Sequence, residues 1–200
     1  MNSMNKTSGP TLILASTSPY RKAQLAKLRI PFVALAPNVD EEAYKQRIAN
    51  PKELALRLAV EKAKAVAESH PEAVVLGGDQ LVSFQSRILG KPHTAERAVE
   101  QLLQLAGQEH VLITAVAVFH EGSCRSHVDE TRLRMRPFDR QTAERYVSLD
   151  QPLDCAGSYK IESLGISLFE SIETEDHTAI TGLPLITVTR LLNAVGIPVP

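Results

Sequence analysis

Apolar and polar positions along the chain fall into two alternating kinds of run. Short apolar blocks with no polar face, such as Thr11–Ala15 and Ala73–Leu76, predict buried strands. Apolar residues spaced three and four apart predict helices. The first strand leads into a helix over Pro19–Leu28, and Phe32–Ala36, bounded by Pro31 and Pro37, reads as a short strand. Asn38–Asn50 has no such period and is polar and acidic, which predicts a loop or lid. Leu54, Leu58 and Ala59 form the apolar stripe of a long helix over Pro51–Ser69, opened by a capping-box-like pair, Asn50 and Glu53. After Ala73–Leu76, Gly77-Gly78-Asp79 predicts a strand end, then another strand and a turn at Gly90-Lys91-Pro92.

Thr94 caps a third helix that stops at Gly107. Val111–His120 and Ser126–Arg136 read as two long strands around a turn at Glu121-Gly122. Asp139–Leu149 predicts a fourth helix, Ala156–Ile172 a mixture of Gly turns and short strands, and Leu183–Val195 a closing helix before Gly196. The alternation predicts an α/β (mixed α+β) fold, with an elongated mixed sheet flanked by helices. The two long strands would bridge two lobes around a cleft. Residues 11–200 are expected to form one domain behind a disordered polar leader, residues 1–10.

Composition narrows the partners. With 22 Lys and Arg against 23 Asp and Glu, the chain has no basic footprint for a nucleic acid polymer. Two Cys make a disulfide scaffold untenable and suit a reducing compartment. No apolar run approaches the roughly 20 residues of a membrane span, and the polar first ten residues lack the apolar core of a secretory signal. A cytoplasmic protein with no membrane partner is expected, and a homodimer stays open.

Candidate chemistry begins at Ser16-Thr17-Ser18-Pro19. A helix cap explains Ser18 and Pro19 but leaves Ser16 and Arg21 over. A helix start offers unpaired N–H groups and a positive dipole end, and Arg21 adds a planar fork suited to phosphate oxygens. Lys62 and Lys91 are further candidate cations. The stretch around Gly90-Lys91 is no P-loop, since Gln85 and Pro92 stand where Gly and a hydroxyl residue are needed. The chain also lacks G-x-G-x-x-G. Two acidic features answer the cations: Val39-Asp40-Glu41-Glu42, and Asp79 after a buried strand. Such hard oxygen ligands suit Mg²⁺ or Mn²⁺ alongside phosphates. Asp79 could take a proton from water itself or hold a metal that acidifies the water. His120, Cys124 and His127 straddle the expected hairpin turn, which argues against a structural zinc site. No G-x-S-x-G elbow is present.

Over residues 11–195 the sequence resembles the Maf family of nucleoside-triphosphate pyrophosphatases. The resemblance rests on LILASTSPYR, PNVDE, LAVEKAKA, GGDQLV, LGKP, the Thr114 strand, CAGSYKIES and TGLPL, in that order. It implies a fold like that of the inosine triphosphatases and hydrolysis between the α- and β-phosphates, with Asp79 as proton acceptor. Tyr20, Gln80 and Glu162 match positions associated with base specificity. Ser16, Ser18, Arg21, Lys62 and Lys91 match phosphate-binding positions, and Glu41 with Asp79 the metal-binding ones. Lys160 and Glu162 are similar to the branch that removes 7-methyl-GTP from the nucleotide pool; the dTTP/UTP branch carries Gly and Gln there. This chain departs from the 7-methyl-GTP branch at Tyr20, often Trp, and at Gly78, often Ser. Methylation at N7 makes guanine cationic, and an aromatic face attracts a cation by about 0.5–2 kcal/mol. The alternatives are a dTTP/UTP pyrophosphatase and a nucleotide-binding regulator of septum formation without turnover.

Overall fold

The computed structural model describes residues 9–200, so the leader expected over 1–10 lies, for residues 1–8, outside the described residues. Leu12–Ala15 (β1) is buried at all four positions, and Ser18 then caps the helix Pro19–Ala26 (α1), accepting from the Arg21 N–H at 3.4 Å. The chain continues through strand Val33–Leu35 (β2), a five-residue helix Glu41–Lys45 (α2) and the long helix Pro51–Ala67 (α3). Next come strands Val74–Phe84 (β3) and Arg87–Leu89 (β4), and helix Ala95–Leu105 (α4). Strands Glu109–His120 (β5) and Ser123–Met135 (β6) precede helix Arg140–Asp150 (α5). Strand Phe169–Glu173 (β7) and helix Leu185–Ala194 (α6) complete the order, with short 3-10 turns at Ala156–Ser158, Leu164–Leu168 and His177–Thr181.

The seven strands make one mixed sheet in the order β2-β1-β3-β5-β6-β7, with β4 on the free side of β3. β1 runs parallel to β2 and β3, and the remaining pairs are antiparallel. β5 and β6 pair without a break from Glu109–Arg134 to His120–Ser123. Their two-residue turn has φ of 48° at Glu121 and 74° at Gly122, the positive pair that matches the twist of a hairpin. In this register His120 and His127 face one side of the ribbon and Cys124 the other, so the three do not converge.

Several boundaries differ from the sequence expectation. The acidic 38–50 segment carries α2, because the Asp40 carboxylate caps it through the Ala43 N–H at 3.2 Å. The strand expected to stop at Leu76 runs on to Phe84 as one element, since β5 pairs with it from Val75 to Ser83 with no register shift. Asp79 therefore projects from mid-strand and not from a sheet end. The 156–172 region holds one strand, β7, preceded by two 3-10 turns.

Three apolar clusters fill the molecule. α3 covers one face around Ile13, Ala15 and Val75, while α1 and α6 cover the other around Leu12, Leu14 and Leu76. α4 and α5 build a third around Leu102, Leu133 and Met135 at the far end of the long strands. β1 pairs only with Val74–Gly77 and β4 only with Val82–Phe84. Between them, β3 has β5 on one side and no strand on the other. That gap separates the two lobes and exposes residues from both faces of β3 to one space.

Candidate active site

A cleft of about 1150 Å³ opens at this gap. It is lined by Ser16, Ser18, Tyr20, Arg21, Glu41, Lys62, Asp79, Gln80, Lys91 and Glu162, the full set singled out in the sequence. They come from the β1–α1 turn, α1, α2, α3, β3, the turn after β4 and the loop after α5.

Lys62 occupies the centre of the charged end. Its ammonium lies 2.7 Å from Asp79 Oδ1 and 2.7 Å from Glu41 Oε1. Lys62 and Asp79 are only 6% and 5% exposed. Gly77 allows this, because a Cβ there would overlap the Ala59 carbonyl oxygen and stand 2.7 Å from the Ala63 nitrogen. With no side chain at Gly77, the α3 backbone settles against β3 and brings Lys62 down onto Asp79. Burial pushes the Asp79 carboxyl above its ordinary value, and the opposing pull of Lys62 and Arg21 does not fully offset it. Burial also pushes Glu41 up, but the Lys62 hydrogen bond and charge, with Lys45 and Arg21, bring it below its ordinary value.

Asp79 Oδ2 is buried and has no hydrogen-bond partner among the described residues. A buried acceptor left over beside a second carboxylate fits a hard divalent cation. No three His, Cys, Asp or Glu side chains converge among the described residues. The protein would thus offer two carboxylates, Asp79 and Glu41, with substrate phosphates and water completing the shell, the usual arrangement for Mg²⁺.

Around the start of α1, Ser16 Oγ accepts from the Ser18 N–H at 3.1 Å and lies 3.5 Å from Arg21 Nη1. Arg21 Nε donates to the Gly182 carbonyl at 3.2 Å. Burial lowers the pKa of Arg21, while Asp79 and Glu41 raise it, and a guanidinium stays charged throughout. Lys91 is exposed on a turn held by Gln101 Nε2, which donates to the Gly90 carbonyl at 2.9 Å.

Tyr20 follows the helix around to the opposite wall. Cys155 Sγ lies 4.0 Å from its hydroxyl, and burial followed by the charges of Cys155, Asp154 and Glu162 raises its pKa. Burial and Asp154 likewise push the Cys155 thiol up to about 12, so it is inert as a nucleophile at neutral pH. Gln80 Nε2 donates to Thr114 Oγ1 and to the carbonyls of Ala179 and Ile180, at 2.9, 2.9 and 3.1 Å. Its Oε1 has no partner among the described residues and is not a buried atom, so the amide presents an acceptor to the cleft.

A family model described as Maf-like protein matches residues 11–195. This chain belongs to the Maf family. A relative named 7-methyl-GTP pyrophosphatase in Bdellovibrio bacteriovorus is 51% identical over 181 residues, covering 90% of this chain and 95% of the relative. Relatives of the same name in Alkalilimnicola ehrlichii and Pseudomonas putida are 47% and 44% identical, each covering 94% of this chain and 95% and 98% of their own.

Within the Maf frame, two residues noted in the sequence act differently from the rest. Lys160 does not line the cleft: its ammonium donates to the carbonyls of Asp150 and Gln151 at 3.0 and 3.2 Å, closing the C-terminus of α5. Gly78 lies beside Arg21: a Cβ there would touch Arg21 Nε at 3.4 Å, an ordinary contact, and stand 3.3 Å from Leu183 Cδ2, which would have to give slightly to admit a serine. The sequence reading missed the contacts made by Thr114, Ala179, Ile180 and Gly182. Gly182 before Leu183-Pro184 signals a turn, but nothing local says which side chains that turn will hold.

Proposed function

We propose that the protein is a nucleoside-triphosphate pyrophosphatase that hydrolyses 7-methyl-GTP to 7-methyl-GMP and pyrophosphate. The observation that carries this reading is the division of charge within one cleft. Arg21 and Lys62 gather with Asp79 and Glu41 at one part, with Lys91 elsewhere on the cleft lining, whereas Tyr20 stands among Asp154, Cys155 and Glu162 at another. The first matches a triphosphate. The second pairs an aromatic face with carboxylates, which suits a cationic base that also carries N–H donors. The Lys160 ammonium, held at the end of α5, also lies 4.0 Å from Asp154 Oδ1 and offsets part of that charge, which leaves Glu162 as the carboxylate with no cation partner among the described residues. The names of the relatives agree with this substrate.

In the mechanism, Asp79 holds the proton of a water aligned on the α-phosphorus. The water oxygen bonds to that phosphorus as its bond to the bridging oxygen breaks, and pyrophosphate leaves. Lys62, Lys91 and the Arg21 fork neutralise charge growing on the leaving group, the main contribution a protein makes to phosphoryl transfer. Asp79 and Glu41 would hold Mg²⁺ or Mn²⁺, which supplies further neutralisation of phosphate charge when bound. Ser16 and Ser18 shape the helix start that receives the phosphates.

Pyrophosphate release from 7-methyl-GTP, GTP, dTTP and UTP, each with Mg²⁺ or Mn²⁺, tests the reading. The expected result is the highest kcat/KM for 7-methyl-GTP. Preference for dTTP or UTP would move the protein to the sister activity, and absence of release from all four would make it a nucleotide binder without turnover.

A further inference from the structure

Four carbonyls of the turn that precedes α6 are taken by side chains from three other elements. Thr178 O accepts from Gln24 Nε2 of α1 at 3.1 Å, and Ala179 O from Thr114 Oγ1 of β5 at 3.0 Å. Gln80 of β3 donates to Ala179 O and Ile180 O, and Arg21 Nε to Gly182 O. Asp176 ties the same turn to α6 through the Ile186 N–H at 2.8 Å. The turn is thus a brace whose last carbonyl holds one edge of Arg21. With Nε occupied there, the two Nη groups form the remaining edge, and a guanidinium recognises phosphate through such a paired edge.

Gly182 has no side-chain substitute here. Its φ is 112°, and a Cβ would stand 3.2 Å from Arg21 Cγ and 3.5 Å from Nε. Gln24 lies one helical turn beyond Arg21 and is 2% exposed, yet its Oε1 is buried with no partner among the described residues. A buried amide half satisfied in this way costs stability. What it maintains is the contact with Thr178 O, and that carbonyl also accepts from Thr181 Oγ1 at 3.2 Å.

We propose that Gly182 and Gln24 are positioning residues: the brace they complete aims the Nη edge of Arg21 at the phosphates of the substrate. This rests on the proposed function only in taking a polyphosphate as ligand. Neither residue touches the reacting atoms.

The test is titration calorimetry in Mg²⁺ buffer with two probes, inorganic tripolyphosphate for the phosphate end and 7-methylguanosine for the base end. Gly182→Ala should weaken tripolyphosphate binding roughly tenfold or more while 7-methylguanosine binding changes less than about twofold. Gln24→Leu removes the unpartnered oxygen and leaves Thr178 O satisfied by Thr181. Its Tm should stay level or rise while tripolyphosphate affinity falls by roughly threefold. A residue that only supports the fold would move Tm and affinity down together, or Tm alone. Should Gly182→Ala fail to fold, Gln24→Leu decides. Unchanged tripolyphosphate affinity in both variants, or equal losses for the two probes, would overturn the proposal. A wild-type protein that binds tripolyphosphate and not 7-methylguanosine would count against the proposed substrate, while the tripolyphosphate measurements still decide the role of Arg21 positioning.

Discussion

Asp79→Asn is expected to lose turnover by about a thousandfold or more, the range in which a general base contributes, while still binding nucleotide. The substitution keeps the shape of the side chain and its place on β3, opposite Ala115 of β5. It removes the carboxylate charge that proton transfer needs, and with it one of the two carboxylates that would hold a metal, while Glu41 and the substrate phosphates remain to bind one. The Asn oxygen can still accept from Lys62, which sits 2.7 Å from Asp79 Oδ1, so the walls of the cleft keep their places. Arg21, Lys91 and Ser16 are untouched. A Kd for 7-methyl-GTP within a few-fold of wild type, together with kcat near background, is the expected pair. Near-normal kcat would show that another group takes the proton.

Lys62→Met is expected to destabilise the metal-free protein more than any other substitution at the site. It leaves Asp79 buried with no cation in contact and removes the partner of Glu41. Breaking a buried pair by removing one partner costs about 3–5 kcal/mol, much of it the cost of the stranded charge. Glu41 is partly exposed, so water screens its share. The loss should also depend on pH. Burial already raises Asp79 above 3.8 in the folded protein, and losing Lys62 raises it further. A carboxyl whose folded pKa is raised binds its proton more readily folded than unfolded, so the folded state loses stability as pH climbs from 3.8 through the raised value. The penalty of Lys62→Met is therefore greatest near neutrality and shrinks in acid, where Asp79 is protonated. Urea unfolding at neutral and acid pH measures this, and Asp79→Asn in the Lys62→Met background should restore much of the stability. A neutral-pH cost below about 1 kcal/mol, the scale of an exposed pair, would show that Lys62 is solvated and not buried against Asp79.

The candidate residues were legible in the sequence where chemistry and local geometry coincide. Ser18 and Pro19 fix a helix start by short-range capping, and Tyr20 and Arg21 come with it. Gly77-Gly78 misled because two glycines usually punctuate a strand. Here Gly77 serves close packing of α3, and uninterrupted pairing with β5 carries the strand past it. Lys62 could be placed on a helix but not in the interior, because a lysine is rarely buried and its two carboxylate partners lie 17 and 21 positions away in opposite directions along the chain. The contact between Arg21 and Gly182 spans 161 positions and uses a backbone carbonyl, which leaves no trace in residue type. Lys160 shows the converse: it accompanies the resemblance, yet its ammonium closes a helix end and does not enter the cleft.

Hydrolysis of 7-methyl-GTP in ¹⁸O-labelled water, with mass spectrometry of both products, tests most directly that water held by Asp79 attacks the α-phosphorus. The expected result is one ¹⁸O in 7-methyl-GMP and none in pyrophosphate. Label in pyrophosphate would mean attack at the β-phosphorus and would contradict the placement of Asp79 against the substrate.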